Sequence, residues 1–190
     1  MRIVIPVSFL VVAVIFVSLS YHFDFPFQYY EVGEELDSFN DVPIYYNGTS
    51  AGIHGVNYTD DGYVLGIKWQ CVEFVRRYYL EIYGHKMLSD LGNAVDYYDE
   101  SVPNGEFNFS RGLIQFKNNG ASIPASGDIL VFAGGYGHVA IVISANRSTI
   151  EIIQQNVNKK SRDEITIGKS IQGRYFQSDS NVLGWLRISP

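Results

Sequence analysis

The chain has 190 residues, of which 46% are apolar and 15% aromatic; this suits one folded domain and argues against a disordered chain. A formal net charge of −6 argues against a nucleic-acid partner bound through a general basic field. Because Cys71 is the only cysteine, an internal disulfide and a four-cysteine zinc site are excluded. The four histidines show no metal-ligand spacing, so we expect neither a metal nor a cofactor.

The N-terminal segment has the layout of an export signal. Arg2 precedes an apolar run from Ile3 to Val17, and small residues two apart follow in Ser18-Leu19-Ser20. Residues 1–20 are therefore predicted to be either a signal peptide cleaved after Ser20 or an uncleaved membrane anchor, since Ile3 to Leu19 is about the shortest run that spans a bilayer. Either alternative predicts a secreted or membrane-anchored, extracytoplasmic protein.

Four tripeptides match the acceptor pattern for N-glycosylation. They begin at Asn47, Asn57, Asn108 and Asn146. Chance would give roughly one or two in a chain of this composition. The excess favours a glycoprotein on a eukaryotic secretory route.

A helix is predicted after an aperiodic stretch. Residues 21–45 are acidic and aromatic without periodicity, and we interpret them as a linker or extension before one domain at 46–190. Apolar residues then recur at a spacing of three to four, from Cys71 through Phe74/Val75 and Tyr78/Tyr79 to Ile82. The residues between them, which we expect on a polar face, are Glu73, Arg76, Arg77 and Glu81. Gly84 is expected to end this helix.

The C-terminal half is predicted to be mainly strands. A shorter helix is expected near Ser89 to Tyr98. Period-two patterns then mark four strands at Ile129 to Phe132, His138 to Ser144, Thr149 to Val157 and Leu183 to Ile188. The first three are joined by segments too short for crossover helices, so they should pair antiparallel. The fold class predicted for the chain is α+β.

One cysteine and one histidine form the candidate catalytic pair. Cys71 begins the predicted helix, where unpaired N–H groups favour a thiolate, and His138 begins a strand after a glycine-rich loop. A turn centred on Asn146-Arg147 predicts that paired residue numbers sum to 292–294, which sets Gln154, Gln155 or Asn156 opposite His138. Two of these registers put an amide on the face of the histidine, as a nucleophile, base and orienter require. The alternative is a small buried cysteine and a packed histidine without chemistry.

Five ordered motifs strengthen the catalytic interpretation. Lys-Trp-Gln-Cys-Val-Glu-Phe-Val-Arg-Arg at 68–77 resembles the nucleophile motif of CHAP domains, the papain-like cysteine/histidine-dependent amidohydrolases and peptidases. Further motifs similar to that family occur at Pro124 to Phe132, Gly137 to Ile141, Ile153 to Val157 and Leu183 to Leu186. Within the family, the chain most resembles the amidase domain of the bifunctional glutathionylspermidine synthetase/amidase branch.

The resemblance implies a fold and a set of roles. The fold would be papain-like, with a helix that carries Cys71 packed on an antiparallel sheet that carries His138. Cys71 would be the nucleophile and His138 the base, while Gln154 occupies the third position, where the family holds Glu, or Asn or Asp in other branches. Arg76 and Asn156 would lie near the substrate, and Asn156 is the alternative orienter of the histidine.

Three functions follow as expectations. The first is a thiol amidase that cleaves a peptide amide, such as that of a glutathionylspermidine-like substrate, through a thioester acyl-enzyme. The second is a peptidoglycan amidase or endopeptidase with the same residues. The third is a non-catalytic CHAP-like binding protein, which the neutral Gln154 favours because it gives the imidazolium less support than a carboxylate.

Overall fold

The computed structural model describes residues 29–88, 92–177 and 181–189. The chain divides into two units, residues 1–30 and 31–190, and the fold described below is that of the second. The predicted signal peptide or anchor and the first three residues of the predicted second helix lie outside the described residues. Within the described ranges, no helix is both long and apolar enough to cross a membrane.

The second unit consists of one α-helix and antiparallel strands. In chain order its elements are β1 (Glu35–Phe39), β2 (Val42–Tyr45), β3 (Val56–Tyr58), β4 (Val64–Ile67), α1 (Cys71–Tyr83), a 3-10 turn (Ala94–Tyr97), β5 (Glu106–Asn108), β6 (Leu113–Lys117), β7 (Ile129–Phe132), β8 (His138–Ala145), β9 (Thr149–Ile153), β10 (Arg162–Lys169), β11 (Tyr175–Gln177) and β12 (Val182–Arg187). Eight of the strands form one sheet in the order β11-β10-β9-β8-β7-β12-β6-β5. The α+β class is confirmed, and every pair of neighbouring strands is antiparallel.

The sheet has an apolar cluster on each face. Helix α1 packs on one face, where Phe74 and Val75 meet Val139, Ile141 and other side chains of the sheet. The opposite face holds a second cluster of aliphatic residues around Trp185. Alternate residues of β8 belong to alternate clusters, as period two requires. This alternation fixes which residues of β8 face the helix.

Helix α1 ends as the sequence predicts but is buried more completely. Gly84 adopts the left-handed conformation with φ 63°, and its N–H bonds the Leu80 carbonyl. The expectation of a polar outward face is wrong for Glu73, Arg76 and Arg77, which are all buried. The reason is that β4 and β2 pack against the helix in addition to β8 of the sheet.

Part of the predicted linker belongs to the folded unit. Residues 35–45 form the two-stranded ribbon of β1 and β2. Val42 and Ile44 alternate along β2 and are buried in the cluster under α1. Ordered structure therefore begins before residue 46, because this alternating pair supplies an apolar face that the helix covers.

The four asparagines of the predicted glycosylation sites differ in how exposed they are in the fold. The Asn47 and Asn108 side chains are both buried, and Asn57 donates a hydrogen bond to Glu73. These three side chains are therefore buried in the fold or hydrogen-bonded to it. Asn146 is exposed in the turn between β8 and β9, and glycosylation stays a prediction for this residue alone.

Candidate active site at the starts of the helix and of strand β8

Cys71 is the first residue of α1 and lies against the start of β8. Its side chain is largely buried, with 7% of the residue exposed. The N–H of Val139, the residue that follows His138, faces the sulfur and lowers the pKa of the thiol. The fold therefore brings Cys71 to the residue that follows His138, although 67 positions separate Cys71 from His138 in the chain.

Gln154 holds the imidazole of His138. The distance from His138 Nε2 to Gln154 Oε1 is 3.0 Å. Because an amide oxygen only accepts, the imidazole carries its proton on Nε2, and Nδ1 keeps a free lone pair. That lone pair is the acceptor that a neighbouring thiol requires. The structure thus pairs the histidine with the amide at the family's third position.

The register explains why Gln154 is the partner. Ile141 pairs with Ile153, so the two numbers sum to 294, the upper end of the expected range. Strict continuation would set Asn156 opposite His138, but β9 ends at Ile153 and Asn156 adopts a left-handed φ of 71°. Gln154 reaches the histidine diagonally across the strands instead.

Asn156 binds a loop and not the histidine. Its amide oxygen accepts from Asn47 at 2.8 Å, and its NH₂ group donates to the Ser50 carbonyl and to the Gln70 side chain. It also lines a cavity of about 410 Å³ beside that loop, together with Gly48, Thr49, Ser50, Val157 and Asn158. The expectation that Asn156 orients His138 does not match these bonds, whereas its place near a substrate stays a prediction.

Arg76 is buried beside β4 and the Tyr63 ring. It is 1% exposed, it donates to the Val64 carbonyl at 3.0 Å, and its guanidinium lies 4.8 Å from the centre of the Tyr63 ring. Five residues along a helix amount to about 140° of rotation from Cys71, which turns Arg76 toward β4. The expected contact with a substrate carboxylate does not fit this burial.

Burial favours the neutral forms of both Cys71 and His138. It raises the pKa of the Cys71 thiol, and it lowers the pKa of His138 against the opposing effect of the Gln154 hydrogen bond. A helix N-terminus stabilises a negative charge by up to about 2 kcal/mol in a partly buried site, whereas desolvation shifts buried groups by as much as about 3–5 pKa units, each of which corresponds to about 1.4 kcal/mol. The N–H groups of Cys71 and Val72 at the start of the helix do lower the pKa of the thiol, as expected, but burial outweighs them and the net shift disfavours a thiolate.

A buried polar network behind Cys71 escaped the sequence analysis. Gln155 accepts from the Tyr45 N–H at 2.8 Å and donates to the Gln70 carbonyl at 3.0 Å and to Glu73 Oε2 at 2.8 Å. Glu73 Oε1 in turn accepts from Arg77 Nε at 2.8 Å. The register argument named Gln155 as one of three neighbours of His138, but period two assigned it to the other face of the strand, where no local pattern predicted a partner for it.

Cys71 at the start of a helix and an amide-held His138 at the start of an antiparallel strand are the arrangement of papain-like proteins. Within residues 29–88, 92–177 and 181–189, no three His, Cys, Asp or Glu side chains are grouped so that they could hold a metal ion. The fold and the site thus define a papain-like α+β domain.

The chain belongs to the CHAP domain family, whose model matches residues 60–156, about half of the chain. It is 34% identical over 107 residues to the bifunctional glutathionylspermidine synthetase/amidase of Escherichia coli (strain K12), a match that covers 53% of this chain and 17% of the relative. The protein of the same name from Shigella flexneri matches equally. Glutathionylspermidine synthase of Crithidia fasciculata is 30% identical over 139 residues, which cover 65% of this chain and 19% of the relative. The chain thus spans less than a fifth of each relative.

Proposed function

We propose that this domain is a cysteine-dependent amidohydrolase that cleaves an amide bond through a thioester acyl-enzyme. The observation that carries the proposal is the hydrogen bond between His138 Nε2 and Gln154 Oε1, which leaves Nδ1 to act as a base. His138 immediately precedes Val139, whose N–H faces the Cys71 sulfur. Membership in the CHAP family and the amidase named in two of the relatives support an amidohydrolase or peptidase function.

The neutral pair acts by general-base catalysis. Nδ1 of His138 takes the thiol proton while the Cys71 sulfur attacks the substrate carbonyl carbon. The N–H groups of Cys71 and Val72 face the sulfur, so they can donate to the oxyanion that develops on the attacked carbonyl. The imidazolium then gives its proton to the leaving amine, and the thioester remains. Water, deprotonated by the same imidazole, hydrolyses the thioester and restores the thiol.

The favoured substrate is an amide of the glutathionylspermidine type. Its scissile bond joins a peptide carboxyl group to a polyamine, and the names of the relatives support this chemistry. A peptidoglycan amide is the second candidate, and the apolar run after Arg2 favours it because an exported enzyme would meet the cell wall. We further propose that residues 1–20 direct the protein out of the cytosol by one of the two routes described.

Mass spectrometry of the products distinguishes these proposals. The purified protein is incubated with glutathionylspermidine and, separately, with purified peptidoglycan, beside the Cys71→Ala variant and a control variant, Ser148→Ala, in the exposed turn. We expect turnover of one substrate by the wild type and the control and none by Cys71→Ala. A transient acyl adduct on Cys71 identifies the thioester. Binding of either compound without turnover would establish the non-catalytic function instead.

A further inference from the structure

The residue after the orienter of His138 is bound to the nucleophile's turn. Gln155 is 1% exposed, and its amide bonds three residues that lie in two separate segments of the chain. It accepts from the N–H of Tyr45 in β2, and it donates to the carbonyl of Gln70 and to the carboxylate of Glu73. Gln70 immediately precedes Cys71, and Glu73 follows it by two positions.

Two neighbouring glutamines therefore hold the two halves of the site. Gln154 bonds the base, and Gln155 bonds the main chain and the first turn that carry the nucleophile. We propose that Gln155 is a positioning residue that fixes the Cys71 sulfur relative to His138, an inference that rests on the proposed function. Its readout is the N–H of Val139, which faces the Cys71 sulfur where α1 packs against β8.

The hydrogen bonds of Glu73 explain why loss of the Gln155 amide should displace the first turn of α1 without unfolding the domain. Oε1 accepts from Arg77 and from Asn57, and in the described part of the chain Gln155 is the donor that reaches Oε2. Removing the amide of Gln155 therefore leaves the buried ion pair in place. The Gln70 carbonyl keeps only the long bond of 3.3 Å from the Phe74 N–H. The first turn should loosen while the core stays closed.

A second buried glutamine provides a matched control. Gln115 in β6 is fully buried, and its amide bonds Asp99 and Asn108. In the variants Gln155→Met and Gln115→Met, a methionine side chain of about the same length replaces a buried glutamine. Each variant therefore removes one buried side-chain amide. We expect both to lower the unfolding midpoint by similar amounts, because the two amides make similar numbers of hydrogen bonds.

The kinetic and exchange measurements should then separate the two variants. For Gln155→Met we expect kcat on the hydrolysed amide to fall roughly 10- to 100-fold with KM within about threefold, since a misplaced nucleophile loses rate rather than affinity. Hydrogen exchange of the Val139 amide should accelerate about tenfold relative to that of Ile141. For Gln115→Met both quantities should stay within about threefold of the wild type.

Each outcome decides one of the two proposals. If the wild type is active and Gln155→Met matches Gln115→Met in kcat and in Val139 exchange, the positioning role is overturned and the amidase stands. If the wild type hydrolyses neither amide, the amidase falls, and unchanged Val139 exchange in Gln155→Met overturns the positioning role as well. Should Gln155→Met fail to fold, Gln155→Asn, which keeps an amide one methylene shorter, is measured against the same criteria.

Discussion

Replacement of Gln154 by Glu tests the electrostatics of the site with little change of shape. The new carboxylate oxygen would lie where the amide oxygen now lies, 3.0 Å from His138 Nε2. Two unit charges about 4 Å apart interact by about 4 kcal/mol at an effective dielectric constant of about 20, and one pKa unit corresponds to about 1.4 kcal/mol. Burial of the carboxylate opposes part of this gain, so we expect the pKa of His138 to rise by about 1–3 units.

The direction in which the pH profile should move follows from the neutral forms of Cys71 and His138. Burial lowers the pKa of His138 below its ordinary value of 6.5, so the base is already neutral at pH 7, and acid inactivates the wild type only below that value. Burial raises the pKa of Cys71 above 9.0, which sets the loss of activity on the alkaline side. The wild type should therefore show a broad plateau. A negative charge beside the imidazole raises both values, so the whole profile of Gln154→Glu moves to higher pH.

The assay is kcat/KM between about pH 5 and pH 10, since this ratio reports the free enzyme. Gln154→Ala is the control, because it removes the orienting amide without adding charge and should lower the rate without moving the acid limb upward. An NMR titration of the His138 ring measures the same pKa without substrate. If the acid limb and the ring titration of Gln154→Glu both coincide with those of the wild type, Gln154 does not hold the histidine and the mechanism fails.

Three further predictions concern the thiol, the core and the N-terminus. Because burial raises its pKa, Cys71 should react with iodoacetamide more slowly than free cysteine at pH 7 and faster as the pH approaches 9.0. The reaction is measured as the increase in protein mass with time, and rapid reaction below pH 7 would refute the neutral pair. Asp128→Ala breaks the ion pair with Arg187 at 2.7 Å and should cost about 3 kcal/mol in urea unfolding, and a loss under 1 kcal/mol would contradict a structural role for the pair. N-terminal sequencing should find Tyr21 first in secreted material, whereas an intact Met1 in the membrane fraction would establish the anchor.

Local patterns in the sequence determined the elements and the chemical pair. The spacing of apolar residues and Gly84 predicted the helix that begins at Cys71, and period two predicted the strand that begins at His138. These signals are local because the periods of helix and strand fix which side chains share a face. The turn at Asn146-Arg147 also confined the register of β8 and β9 to three values. The pairs nearer His138 adopt one of them, with a sum of 294, whereas the pairs beside the turn sum to 295 because the register shifts between Val142 and Ser144.

The tertiary structure alone decided which amide serves the histidine and what charge the site carries. Gln154 is the partner because β9 ends at Ile153 and the chain turns away at Asn156, a departure that a period of two does not contain. The helical spacing of apolar residues likewise placed Glu73 on a polar face, whereas packing of β2 and β4 on the helix buries it and Gln155, 82 positions away, bonds its carboxylate. The protonation state of Cys71 was likewise decided by tertiary structure. The pKa of a thiol depends on how much water is removed from it, and packing between distant segments determines how much water remains.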